Sequence, residues 1–80
     1  MFTVYVLRSL ERKYLYVGLT EDIERRFRQH QSGKGRVTRA YRPFELLHRE
    51  IFHTRQEARD REKYLKSGSG KEWIKHTYSL

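Results

Sequence analysis

Cysteine is absent from this chain, so disulfide staples and thiolate-held metals are excluded together. No apolar run approaches the length needed to span a bilayer. Met1 leads directly into a strand-like pattern rather than a signal peptide, so a cytoplasmic protein is the expectation. Proline occurs once, at Pro43, and nothing in the chain repeats or reads as a linker. Eighty residues make one domain, 1–80, and a chain this short buries only about 60% of the surface its unfolded form exposes. The core is therefore thin, and few inward positions can hold polar groups without a reason.

Acids are scarce in one region above all. Lys and Arg total 18 against 10 Asp and Glu, a net charge of +8. Between Ile23 and Arg42 seven cations (Arg25, Arg26, Arg28, Lys34, Arg36, Arg39, Arg42) face a single acid, Glu24. A concentrated positive stripe favours a polyanionic partner, of which nucleic acid is the commonest. The bland alternative is a soluble basic surface.

Phe2 to Leu7 and Tyr14 to Val17 are rich in β-branched and aromatic residues and read as two strands. The polar stretch from Arg8 to Lys13 would join them as a hairpin, without the Asn-Gly pair of a tight turn. If Leu7 pairs with Tyr14, Tyr5 falls opposite Tyr16 and both phenols share a face. Gly18 ends the second strand, and Thr20 is the expected N-cap of a helix running to about Gln31 and ending near Ser32-Gly33. A basic loop from Gly33 to Arg42 follows. Phe44 to Phe52 reads as a third strand. Thr54-Arg55-Gln56-Glu57 is a capping box opening a second helix to about Lys66, with glycine at its C-terminal cap. Lys71 to Lys75 would add one more turn. The order is β-β-α-β-α-α, an α+β fold with helices flanking a three-stranded sheet.

Ala58, Glu62 and Leu65 recur at i, i+4 and i+7, so a carboxylate shares the face that two core residues need. Such a group requires a cation, a metal or a role; the plainer alternative is a rim glutamate bridging to Lys66. Arg26 and His30 also lie four apart and share a face. Arg26 has an ordinary explanation as the partner of Asp22 on an exposed helix, and Tyr5 and Tyr16 are by default sheet aromatics. His48, His53 and His76 show no metal-ligand spacing and read as structural or exposed.

Taken together, these residues resemble the GIY-YIG nuclease family. Its two strand motifs stand here as Val4-Tyr5-Val6 and Tyr16-Val17-Gly18. Its helical arginine, eight residues beyond the motif glycine, falls on Arg26, and its metal-binding glutamate on Glu62 within Arg61-Glu62-Lys63. Small single-domain members also match at His30, at Arg42-Pro43 after the basic loop, and along Glu57 to Lys63. The likeness covers Thr3 to about Ile74. Val4 and Val6 replace the first motif's glycine and isoleucine, and Leu19 stands where the repair nucleases of the family have lysine. The chain has no asparagine for the polar group some members carry near the C-terminus. A cation or polar orienter is then either missing or supplied by Thr20, Lys66 or Lys71.

The resemblance implies an endonuclease hydrolysing phosphodiester bonds, in DNA ahead of RNA. One divalent ion, Mg2+ or Mn2+, would sit on Glu62 with water and phosphate completing its shell. Arg26 would bind non-bridging oxygens. Tyr16, assisted by Tyr5, would take the attacking water's proton, and His30 would orient phosphate or relay that proton. Lys34, Arg36, Arg39, Tyr41 and Arg42 would hold the backbone. A binding module without turnover and a structural protein of an RNA–protein assembly are the competing expectations. Strong sequence selectivity would require a partner protein or a homodimer.

Overall fold

The computed structural model describes residues 1–80. Its first strand, β1 (Phe2–Ser9), lies between β2 (Leu15–Thr20) and β3 (Phe44–Phe52), both antiparallel to it. A central strand must be apolar on both faces, and Val4, Tyr5, Val6 and Leu7 are all buried. Side chains alternate across a strand, so Val4 and Val6 point to one side and Tyr5 and Leu7 to the other. The first pair packs with Val17, Ala58, Leu65 and Ile74 beneath α2 (Arg55–Lys66) and α3 (Gly68–Tyr78). The second pair packs with Phe44, Tyr14, Tyr16, Ile23 and Phe27 beneath α1 (Ile23–Gln31) and the following loop. No helix is long and apolar enough to cross a membrane.

The hairpin register differs from the expected one: Leu7 pairs with Tyr16 and Tyr5 with Gly18. Ser9 is the cause. Its amide donates to the Tyr14 carbonyl, and its hydroxyl accepts from the amides of Glu11 and Arg12, so the loop closes two residues later than expected. A slip of two preserves side-chain parity, and both tyrosines stay on one face.

Gly18 does not end β2, which runs on to Thr20. A Cβ at Gly18 would stand 2.4 Å from the Tyr5 ring and hydroxyl, so the glycine is the floor on which that ring lies. Because Thr20 stays in the strand, Asp22 caps α1 instead, accepting from the Arg25 amide at 3.1 Å. Thr54 caps α2 as expected, its Oγ1 accepting from the Glu57 amide at 3.2 Å. The return bond of a capping box is replaced: Glu57 Oε1 accepts from the Thr54 hydroxyl at 2.8 Å rather than from its backbone amide.

The glycines after α2 are not C-terminal caps. Ser67 caps a full helix, α3, rather than a single turn, accepting from the Gly70 amide at 3.1 Å. Gly70 lets that helix press against α2, since a Cβ there would stand 1.9 Å from the Tyr64 carbonyl oxygen. The loop before β3 holds a short 3-10 turn, Arg39–Tyr41, and the Arg42–Pro43 peptide bond is cis. Gln31 fastens β3 to α1 by accepting from the Phe44 amide (2.7 Å) and donating to its carbonyl (3.0 Å).

Candidate functional site

Tyr5, Tyr16, Arg26 and His30 meet on the α1 face of the sheet. The rings of Tyr16 and His30 lie 5.0 Å apart between centroids, and Tyr5 is 6.2 Å from Tyr16 and 5.9 Å from His30. Tyr5 Oη bonds His30 Nε2 at 3.0 Å, and His30 Nδ1 bonds Thr38 Oγ1 at 2.9 Å. His30 is 1% exposed. Burial, and then the Arg26 charge, lower its pKa to about 4, so the ring is neutral near pH 7. A neutral imidazole donates through one nitrogen and accepts through the other. The Tyr5–His30–Thr38 chain therefore has a direction.

Burial raises the Tyr5 phenol to about 12. Arg26 opposes the rise, while the charges of Tyr16 and Glu62 add to it. The Arg26 guanidinium lies beside both phenols, Tyr5 first, and their ionised forms raise its own pKa. Its directional hydrogen bond goes to Gln29 Oε1, at 2.9 Å.

Glu62 approaches from the opposite face. Ala58 and Leu65 are fully buried beneath α2, as their spacing predicts, and Glu62 rides between them with its side chain 14% exposed. It makes the rim bridge to Lys66 at 3.1 Å and a longer one to Arg59 at 3.8 Å, and is mostly covered all the same. Its carboxylate lines a cleft of about 460 Å³ at the outer edge of β2, shared with Leu19, Thr20, Glu21 and Arg55. The sheet edge separates Glu62 from the four clustered residues, and its charge still reaches Tyr5. No three His, Asp or Glu side chains stand together as metal ligands. Glu62 does offer a hard oxygen in an open polar cleft, which fits a divalent ion completing its shell with water and phosphate. Such an ion would compete with the Lys66 ammonium.

Of the basic loop, Lys34, Arg36, Arg39 and Arg42 are exposed. Tyr41 is instead half-buried and stacked on Tyr14, 3.8 Å between centroids, with the Arg12 guanidinium 5.9 Å from its ring. Gly33, at φ +83°, leaves room for the Arg42 side chain to cross it. His48, read from the sequence as structural or exposed, is mostly covered, and bonds Glu50 Oε2 at 2.6 Å and the Tyr78 hydroxyl.

Sequence reasoning missed Thr38, Gly35 and Tyr14. Thr38 is 1% exposed in a loop of cations, and a Cβ on Gly35 would collide with its hydroxyl at 2.5 Å. A buried hydroxyl that serves a residue eight positions away leaves no periodic trace. Only its position as a lone Thr among cations could have marked it.

A family model described as the GIY-YIG catalytic domain matches residues 1–77, and that family consists in general of nucleases. The chain is 43% identical to a UPF0213 protein of Haloquadratum walsbyi over 65 residues, covering 80% of this chain and 72% of the relative. It is 34% identical to a UPF0213 protein of Staphylococcus saprophyticus over 73 residues, covering 90% and 88%. The solution NMR structure of the UPF0213 protein BH0048 from Bacillus halodurans matches with a TM-score of 0.56 at 36% identity, covering 92% of this chain and 82% of that one. By domain, relatives and fold, this chain belongs to the GIY-YIG family.

Proposed function

We propose that this protein is a metal-assisted endonuclease that hydrolyses phosphodiester bonds, with DNA as its preferred substrate. One observation supports this above the rest. Two phenols, a guanidinium and a neutral imidazole touch at one face, within electrostatic reach of a mostly covered carboxylate. Arg26 keeps its charge at any working pH and offers planar donors to the non-bridging phosphate oxygens.

Tyr16 is the half-exposed phenol and takes the attacking water's proton. A phenol does so only as its phenolate, which a neighbouring cation stabilises. Tyr5, held protonated by burial, positions His30 and supports Tyr16. The water oxygen bonds to phosphorus, the bond to the leaving oxygen breaks, and that oxygen takes a proton from solvent. A divalent ion on Glu62, Mg2+ or Mn2+, would polarise the phosphate and stabilise the leaving oxygen. Lys34, Arg36, Arg39 and Arg42 hold the flanking backbone.

The test is nicking of supercoiled plasmid with Mg2+ or Mn2+. Wild type is expected to nick, and Arg26→Ala and Glu62→Gln to lose on the order of 10²-fold or more, as when a preorganised charge is removed. Equal nicking by Glu62→Gln would refute the assignment. One observation favours a second reading, a binding module without turnover: both Glu62 oxygens already face cations, Lys66 and Arg59. That reading predicts salt-sensitive binding unchanged by EDTA and no nicking.

A further inference from the structure

A second cleft opens at the other end of the sheet, and neither the cluster nor the basic loop accounts for it. It holds about 710 Å³ between the β1–β2 hairpin and α3. Arg8, Arg12, Lys13, Lys71 and Lys75 line it with Glu11 as the one acidic side chain of the lining. At its rim Arg8 pairs with Glu45 at 3.5 Å and Lys75 with Glu72 at 3.9 Å, which leaves Arg12, Lys13 and Lys71 in excess. All five cations are exposed. Lys71 and Lys75 stand one turn apart on α3 and so present one face. The Glu62 cleft is nearly balanced by comparison, with Arg55, Arg59 and Lys66 against Glu21 and Glu62.

The five cations come from two separate elements and converge on one concave surface, which concentrates positive potential as scattered surface lysines do not. Arg12 joins this surface to the basic loop, because its guanidinium also lies over Tyr41. We propose that this cleft is a second phosphate-binding site, gripping the nucleic-acid backbone at a distance from the bond that is cut. The assignment rests on the nucleic-acid reading above and extends it to a two-point footprint.

The spacing follows from the strand. One cleft borders Phe2 and the other Ser9. Seven residue steps along β1 span about 23 Å, and at 3.4 Å per step that is about seven base pairs of duplex. A substrate must exceed this length to occupy both clefts.

The experiment measures binding as a function of salt, using Glu62→Gln so that cleavage does not intervene. Its two ligands are a 24-base-pair duplex and a six-base-pair stem closed by a non-nucleotide linker. Lys71→Glu/Lys75→Glu is expected to bind the long duplex at least tenfold more weakly and to lower its salt slope by about two, near 0.9 for each phosphate no longer neutralised. It should leave the short stem unchanged. Lys13→Glu, on the hairpin rather than the helix, should lower the long-duplex slope by about one, so the result does not hang on α3 folding. Lys34→Glu should weaken both ligands. An unchanged long-duplex slope overturns the site and leaves the cleft to an acidic partner protein, without touching the nuclease reading. Equal losses on both ligands overturn the two-point span, and no binding at either length overturns the nucleic-acid reading as well.

Discussion

His30 should make this domain acid-sensitive well above the range where carboxylates titrate. Its folded pKa is about 4 against an ordinary 6.5, because burial and Arg26 both oppose the imidazolium. A group with a depressed folded pKa binds its proton more readily when unfolded, so stability falls as pH falls through the unfolded value. The loss begins near pH 6.5, grows to about pH 4 and then levels off. Between pH 7 and pH 5 it amounts to about 2 kcal/mol. For a domain of this size that is a fall in Tm of about 10 °C. The window matters: Glu50, also depressed, contributes only below its unfolded value near 4.5. Thermal unfolding at half-unit steps from pH 7 to pH 5, for wild type and His30→Gln, isolates the term. Wild type should lose stability steadily, and His30→Gln, less stable at pH 7, should show a nearly flat profile. NMR titration of the His30 ring gives an independent check. A His30 pKa of 6 or above, or parallel profiles for the two proteins, would refute the reasoning.

Thr38→Val keeps the shape but removes the hydroxyl bonded to His30 Nδ1, and leaving a buried polar atom unpaired costs about 1–3 kcal/mol. Denaturant unfolding should show that loss, with nicking falling in parallel as the ring loosens. Gly18→Ala places a methyl 2.4 Å from the Tyr5 ring. Displacing that ring should cost about 1–3 kcal/mol and break the Tyr5–His30 bond, visible as a shift of the His30 ring resonances. Arg61→Met removes the guanidinium that donates to Glu50 at 3.0–3.2 Å and lies over Trp73. Burial alone would raise the Glu50 pKa; hydrogen bonds from Arg61 and His48 outweigh it and hold the pKa low. The variant should therefore lose about 1–2 kcal/mol at pH 7, and the gap to wild type should narrow below pH 4.5.

What could be read from the sequence was what local spacing encodes. The Thr54 cap and the inward facing of Ala58 and Leu65 are decided within two helical turns, and both were legible. The shared face of Tyr5 and Tyr16 was legible for a subtler reason: parity survives a slip of two, even though the register itself depended on hydrogen bonds to the Ser9 hydroxyl. Roles set by contacts distant in sequence or across an element boundary were not legible. Gly70 resembles a helix stop in sequence, and only the approach of α2 explains it. Thr38 acts through a histidine on another element. Glu62 could be assigned an inward face, but which side of the sheet that face met required the topology.

That topology decides how near the cluster on one face comes to the carboxylate on the other. With strand order β2-β1-β3, β2 is an edge, and nothing beyond it separates the two faces. Tyr5 belongs to the central strand, and its ring must cross one strand spacing, about 4.8 Å, to reach that edge. It can do so only by lying flat across β2, which requires the paired residue to have no side chain. Gly18 is that residue. From the other face α2 covers β1 and β2 and carries Glu62 to the cleft beside Leu19 and Thr20. Any larger residue at position 18 would push the phenol off β2, away from the edge beside which the carboxylate lies.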